Sequence, residues 1–477
     1  MLVGESEPPE HYRLSTREAF SAWFLMLAAL SVLIDKVSGN HGFALPALVL
    51  ILGTIVTTWS RITLTSRLMA ACAVGVTIFF AMTGGTLDAF LLAASRALFL
   101  PALLVMMTVL QSSAQNSEPV GLVARFVIDQ PPSRRFGMLA ITGHIFGMLL
   151  NLAGYRFLLG IALKQVRQMT TDPDILAIQE RRIMNAILCG FGATIMWSPV
   201  GIALNLLLPL MEDFEWIDYA PYGISTMLGF IGLRYIFDRA EPRPNRNRIP
   251  ASRQGVINAT LRLMALLIGV TGSAALTDAI FGIPMQGSLL IVIAIAAVIW
   301  RLLDWSGPTR TKLTHLAKSS FLAMPRPANE IALLLATGYL GLILVELIPA
   351  DVVRKLITDM GLSPAGLSAV IVLAIAGSSM IGISPMITGT VCVGAVIAAQ
   401  IDIPYPMLLL ATLTGWSTGM LLSPVAATVV VTSAISGRPV NQIGLRWNGT
   451  FIVTFTIIML CVFIIWGRML DGGSVLA

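Results

Sequence analysis

The same apolar, helix-breaking passage occurs twice in this chain. Gly190-Phe-Gly-Ala-Thr-Ile-Met-Trp-Ser198-Pro199-Val200-Gly201 returns as Gly415-Trp-Ser-Thr-Gly-Met-Leu-Leu-Ser423-Pro424-Val425-Ala426. A second matched pair lies upstream of each copy. It reads Gly147-Met-Leu-Leu-Asn151-Leu-Ala-Gly154 in one half and Gly382-Ile-Ser384-Pro385-Met-Ile-Thr388-Gly389 in the other. The offsets, 225 and 235 residues, keep both pairs in the same order. Broken hydrophobic segments at corresponding places in two halves are the strongest sequence pointer to a transporter's binding site.

The segments between the breaks belong in a bilayer. Hydrophobic residues make up 56% of the chain and charged residues only 12%, with a mean hydropathy of +0.83. A soluble domain carries about 25% charged residues, so a soluble globular protein is excluded. The net charge of +6 reads as membrane orientation rather than nucleic-acid binding, because Lys and Arg are retained in cytoplasmic loops. The first 18 residues are polar and hold Glu5, Glu7, Glu10 and Glu18, which suits a short cytosolic tail and not a signal peptide. Cys72, Cys189, Cys392 and Cys461 stand apart without paired spacing, so neither disulfides nor a zinc site is expected.

Hydropathy places crossings at 19–38, 41–60, 67–84, 87–112, 178–211, 218–237, 257–277, 282–301, 328–348, 403–435 and 447–468. Two further apolar stretches, 136–163 and 365–398, carry a Gly-rich interruption at their centres and read as re-entrant hairpins. Such backbone is tolerated at membrane depth where protein or a cavity covers it. The expected fold is an all-α polytopic membrane protein of about eleven transmembrane helices. With the N-terminus cytoplasmic and the C-terminus outside, the Arg239–Arg253 and Arg301–Arg326 runs fall inside. The acidic 211–218 loop falls outside, as do Lys36, Arg354, Lys355 and Arg468, in keeping with the positive-inside rule. A tail and first helix (1–40), a first repeat (41–240), a basic linker (241–256) and a second repeat (257–477) follow. Five crossings and one hairpin per repeat force the halves into opposite orientation.

Each break supplies polar groups near the midplane. Pro199 and Pro424 remove a backbone donor, which predicts new half-helices just after Ser198 and Ser423. A helix amino end suits an anion, and freed carbonyls suit a small cation. Asn151, Ser198, Ser384, Thr388 and Ser423 are therefore candidate ligands for substrate or ion, with Na⁺ the possible metal. Gly147, Gly154, Pro199, Gly382, Pro385, Gly389 and Pro424 shape the breaks. Gly and Pro also kink membrane helices for purely structural reasons, and that reading stands beside the functional one at each single position.

Intramembrane charges are functional candidates by default. Arg156, five residues past Asn151, would clamp an oxyanion or snorkel to the surface. Glu330 and His144 are possible proton carriers. Arg96 sits at the position equivalent to Glu330 in the other half, where an ion pair or scaffold anchor is the plainer reading. Asn185 and Asn205 flank the first break. No Walker loop, GxGxxG, HExxH or nucleophile triad occurs, so neither an enzyme nor an ATP-driven pump is expected.

The order of three spans, re-entrant hairpin, broken helix and last span, twice over, resembles the ion transporter superfamily. Within it the chain is most similar to the divalent anion/sodium symporter (dicarboxylate transporter) family, over roughly 41–470. The resemblance implies a homodimer and an elevator in which a transport domain carries substrate at the hairpin tips. Both hairpins and the spans at 178–211, 218–237, 403–435 and 447–468 would form that domain. The family's tips read Ser-Asn-Thr, whereas here the first keeps only Asn151 and the second Ser384 and Thr388. That difference points to a distant member with a less charged or larger substrate. The expected function is secondary transport of a small organic or inorganic anion across a bacterial inner membrane, coupled to Na⁺ or H⁺. A cation/proton antiporter and a component of cell-envelope polymer export are the alternatives. Expected partners are the anionic solute, the coupling ion, membrane lipid and a second copy of the chain.

Overall fold

A computed structural model of the chain describes residues 14–114, 117–169, 172–241, 255–304 and 308–473, and every regular element among them is helical. Residues 1–13 of the tail and most of the basic linker (242–254) lie outside the described residues. In chain order the first half holds α1 (Thr16–Ser38), α2 (Ala44–Thr57), α3 (Leu64–Met82), α4 (Leu87–Ala114), α5 (Glu118–Ile128), α6 (Pro132–Met169), α7 (Pro173–Ala193), α8 (Ile202–Leu207) and α9 (Trp216–Ala240). The second half holds α10 (Val256–Phe281), α11 (Met285–Asp304), α12 (Thr309–Ala323), α13 (Ala328–Leu347), α14 (Ala350–Asp359), α15 (Pro364–Met380), α16 (Pro385–Ala398), α17 (Tyr405–Leu422), α18 (Ala427–Ser436) and α19 (Trp447–Gly473).

Nine helical stretches among the described residues, or ten with the bent pair α14–α15, are long and apolar enough to cross a membrane; one of the nine is the first hairpin, so eight of the eleven expected crossings are among them. The difference has local causes. Helix α2 has only 14 residues. The middle of α7 carries Glu180, Arg181 and Arg182, and α9 carries Asp218, Arg234, Asp238 and Arg239. The segment read as a basic loop between 301 and 326 also forms the separate helix α12.

Both re-entrant hairpins are present. The span α6 is two helical arms that meet at Asn151, whose φ of 51° and ψ of −141° break the helix. The two arms meet closely: a Cβ on Gly154 would stand 2.5 Å from the Phe146 carbonyl oxygen. Gln165, near the end of the returning arm, hydrogen-bonds Asp129, just before the outgoing arm begins. A straight helix would hold those two residues about 50 Å apart. The second hairpin turns at Gly382, with φ at +93°, between α15 and α16. Its returning end comes back to its origin, because Arg354 of α14 donates to the Ala399 carbonyl at 2.9 Å.

Packing repeats across the halves. Gly190 of α7 lets the first hairpin approach so closely that an added Cβ would lie 1.9 Å from the Ala140 carbonyl oxygen. Its counterpart Gly415 of α17 packs on the second hairpin, with the Val372 carbonyl oxygen 2.9 Å from the same imagined atom. Helices α4 and α13 pack together at the centre, with α3 against α13 and α11 against α4. Each hairpin is preceded by a short helix, α5 or α14, 232 residues apart in sequence. Helix α14 bends 114° into α15. Its exposed stripe of Val352, Leu356 and Met360 suits the membrane interface. Finally, α6 packs on α18 and α16 on α8, so each hairpin touches the far half of the other repeat's broken helix.

Candidate functional site

The two breaks share one local geometry. Ser198-Pro-Val-Gly closes with the Gly201 N–H donating to the Ser198 carbonyl at 2.9 Å, and Ser423-Pro-Val-Ala with the Ala426 N–H donating to the Ser423 carbonyl at 3.1 Å. Pro199 and Pro424 occupy the second position of a four-residue turn, where their fixed φ is favourable. The helices consequently restart at Ile202 and Ala427, three residues later than the sequence expectation. Helix α8 is only 6 residues long, whereas α18 has 10. Neither Gly201 nor Ala426 supplies a side-chain cap, so the first N–H groups of both half-helices remain open.

The first break is stitched shut by side chains from elsewhere. Tyr219 Oη donates to the Met196 carbonyl and Trp216 Nε1 to the Trp197 carbonyl, each at 2.9 Å. Asn205 Nδ2 donates to Pro199 at 2.6 Å and Gly201 at 2.9 Å. The freed carbonyls on this side therefore already accept a bond, each retaining a second lone pair. His144, expected as a possible proton carrier, has both ring nitrogens engaged. Nδ1 lies 3.1 Å from the Gly190 carbonyl, and Nε2 accepts from Trp197 Nε1 at 3.0 Å. This is the geometry of a positioning residue. It fixes Trp197 beside Ser198, and Gly147 on the same arm packs against Phe191 and Thr194.

The second break is tied by hydroxyls. Ser423 Oγ donates to the Ser379 carbonyl of α15 at 2.6 Å, and Thr428 Oγ1 to the Met420 carbonyl at 2.8 Å. At the adjoining tip, Ser384 Oγ caps α16 by accepting from the Met386 N–H at 3.3 Å, with Pro385 in the first helical turn. Thr388 Oγ1 pairs with Ser378 Oγ across the hairpin at 2.8 Å. Gly389 lets α16 approach Thr412 of α17, and Gly382 stands beside Val425.

The two sides differ in access. Leu149, Leu150 and Val200 at the first tip and break are buried, and Ser198 is 1% exposed. Ile381, Ile383 and Val425 at the second are 79%, 43% and 59% exposed. Asn151 is half-buried. Gln111 of α4 donates to the neighbouring Leu150 carbonyl at 2.9 Å, and Thr337 of α13, whose hydroxyl donates to the Leu333 carbonyl at 2.7 Å, lies 3.4 Å from Met386 Sδ. The central helices thus reach one tip each.

The intramembrane charges pair differently from the sequence expectation. Arg156 Nη2 lies 3.5 Å from Glu330 Oε1, joining the first hairpin's returning arm to α13. Both side chains are half-exposed. Asn185 accepts from Asn448 Nδ2 at 3.2 Å, inside the domain and away from the tips. Tyr155 hydrogen-bonds Thr432, tying the first hairpin to α18. The residues missed from sequence, Trp197, Trp216, Tyr219, Thr428 and Gln111, are ordinary-looking polar or aromatic positions with no local signal. Among the described residues no group of three His, Cys, Asp or Glu side chains is placed to hold a metal ion.

The sequence matches no protein-family model and no curated protein. The fold, however, is similar to the crystal structure of the YdaH transporter of Alcanivorax borkumensis, described as having an unusual topology. The match has a TM-score of 0.51 at 15% identity and covers 76% of this chain and 85% of that one. At such identity the likeness is one of fold. With its long apolar helices this chain is an integral membrane protein that shares that fold, and the likeness does not single out the divalent anion/sodium symporter family.

Proposed function

We propose that this protein is a secondary active transporter for a small organic or inorganic anion, coupled to Na⁺ or H⁺. The observation that carries the reading is the uncapped amino end of α18 beside the exposed tip of the second hairpin. Open N–H groups and the positive end of the helix dipole favour an anion there. Ser384 and Thr388 add hydroxyls, and Asn151 an amide, from the two tips. None of the four breaks contains Asp or Glu, the group that exchange of a cation for a proton requires.

Both hairpins and both broken helices form one interlocked body, which suits an elevator moving against α1–α4 and α10–α13. On this reading the protein is a homodimer in the inner membrane, with its N-terminus cytoplasmic and its C-terminus outside. The test is uptake into proteoliposomes of labelled carboxylates, sulfonates and oxyanions under a Na⁺ or a pH gradient. One anion class should accumulate under one gradient, and the paired Ser198→Ala and Ser423→Ala changes should abolish it. No accumulation under either gradient, or full uptake by the double variant, would overturn the proposal.

A further inference from the structure

Helices α7 and α17 cross where the two repeats meet, and hydroxyls without partners collect there. Thr414 and Ser417 are 1% and 0% exposed, yet Thr414 Oγ1 and Ser417 Oγ have no hydrogen-bond partner in the protein. A buried helical hydroxyl ordinarily returns to the carbonyl four residues back, as Thr412 does to Leu408 at 2.8 Å. These two do not. They stand one turn apart on the stripe of α17 that continues through Thr418 to Leu421.

The stripe faces a defined junction. Leu421 packs on Gly192 near the end of α7, where an added Cβ would lie 2.6 Å from Leu421 Cδ1. Helix α17 also packs on the 3-10 turn Thr194–Met196. Ser198 follows that turn, with its N–H donating to the Thr194 carbonyl at 3.0 Å. It is also buried, and its Oγ is likewise without a partner. Thr418 Oγ1 meets Thr456 Oγ1 of α19 at 3.3 Å, extending the polar seam to a third helix.

We propose that Thr414 and Ser417, together with Ser198, form a binding site for a monovalent cation of the Na⁺ type at the crossing of α7 and α17. This rests on the transporter reading and names its coupling ion. Three neutral hydroxyl oxygens are hard ligands, and residues 183–201 and 405–422 contain no carboxylate. Ca²⁺ and Mg²⁺ are bound through carboxylates, so the set suits a single charge. The same stretches contain no Lys or Arg to balance an anion. The carboxyl end of α7, a helix of 21 residues, terminates at this junction, and its negative dipole end favours a cation. The site lies behind the second hairpin's tip, on the face of α17 away from α15. An ion bound there would brace the two broken helices against each other while the tip above it takes the anion.

The experiment is equilibrium binding of ²²Na⁺ to the purified full chain in detergent, with competition by Li⁺, K⁺ and choline. Wild-type protein should bind Na⁺ saturably, and choline should not displace it. Thr414→Val combined with Ser417→Ala should raise the half-saturating concentration at least tenfold, while Thr414→Ser retains binding. Ser417→Cys keeps the side-chain shape with a slightly larger atom and exchanges a hard oxygen for soft sulfur. It tests the site without a cavity, should the double variant fail to fold, and should weaken Na⁺ by a similar factor. Unchanged affinity in Ser417→Cys, or no saturable binding of any monovalent cation to wild type, overturns the site. Anion uptake is assayed separately on the same preparations. Uptake that runs at full rate on a pH gradient with Na⁺ absent sinks this inference and leaves the transporter reading standing.

Discussion

Ser198 and Ser423 occupy matched positions, carry the same side chain and precede the same proline, yet their hydroxyls have different occupations. Ser423 Oγ donates to Ser379, whereas Ser198 Oγ is buried without a partner. The Ser379 carbonyl keeps the Gly382 N–H at 3.2 Å, so what is lost is one net hydrogen bond, about 0.5–1.5 kcal/mol, and Ser423→Ala should lower thermal stability in detergent. Ser198→Ala should leave stability within about 0.5 kcal/mol of wild type but lose uptake. Equal melting temperatures for the two variants would contradict this division. His144 yields a second prediction at the same scale. Both ring nitrogens already hold a bond, which suits a residue that positions Trp197 rather than one that carries the transported proton. His144→Ala should cost about 2–4 kcal/mol through its cavity and the unpaired groups left behind. His144→Asn should transport with an unchanged pH profile, and a shifted profile would restore the proton-carrier reading. The sequence exposed these residues by type and place, because Ser-Pro and an apolar-flanked His are local signals. It could not show their partners. Ser379 lies 44 residues from Ser423, and Gly190 lies 46 from His144.

At the scale of elements, the hairpins and broken helices were legible because Gly and Pro act on the backbone next to them. Where the helices resume was not, since Ser-Pro-x-x first closes a turn and the register depends on that turn's hydrogen bond. Helices α5, α12 and α14 also escaped the reading. Their charges resemble a loop's, and the apolar stripe is too short to stand out from its surroundings. Each hairpin approaches its broken helix closely at glycines, and the contacts at Gly190 and Gly415 are with a backbone carbonyl. Gly190→Ala places a methyl 1.9 Å from the Ala140 carbonyl oxygen, and Gly415→Ala places one 2.9 Å from the Val372 carbonyl oxygen. Overpacking typically costs about 1–3 kcal/mol. Gly190→Ala should therefore destabilise more than Gly415→Ala, measured as the temperature at which the monodisperse peak in size exclusion is halved. The reverse order would mean that the first hairpin is held by its side-chain bonds, Tyr155 to Thr432 among them, rather than by this contact.

For the whole molecule, the question is whether the interlocked hairpins and broken helices move as a body past α4 and α13. Arg156 and Glu330 bear on it directly, since one belongs to the first hairpin and the other to the first turn of α13. Their 3.5 Å contact is between half-exposed groups, and such pairs contribute about 0–1 kcal/mol. A contact that weak can break and re-form during a transport cycle. Glu330→Gln should then change the uptake rate no more than about fivefold. A proton carrier at this position would instead lose coupled transport altogether. The stronger test is a cross-link. Cysteines at 156 and 330, in a background with Cys72, Cys189, Cys392 and Cys461 replaced, should be joined by Hg²⁺ or a short bifunctional methanethiosulfonate. If the hairpin domain travels along α13, joining the two should arrest uptake, and excess thiol should restore it. If uptake continues at full rate with the cross-link complete, the contact persists throughout the cycle. Transport would then require only local opening, and the exposed tip formed by Ile381, Gly382 and Ile383 is the element free to make it.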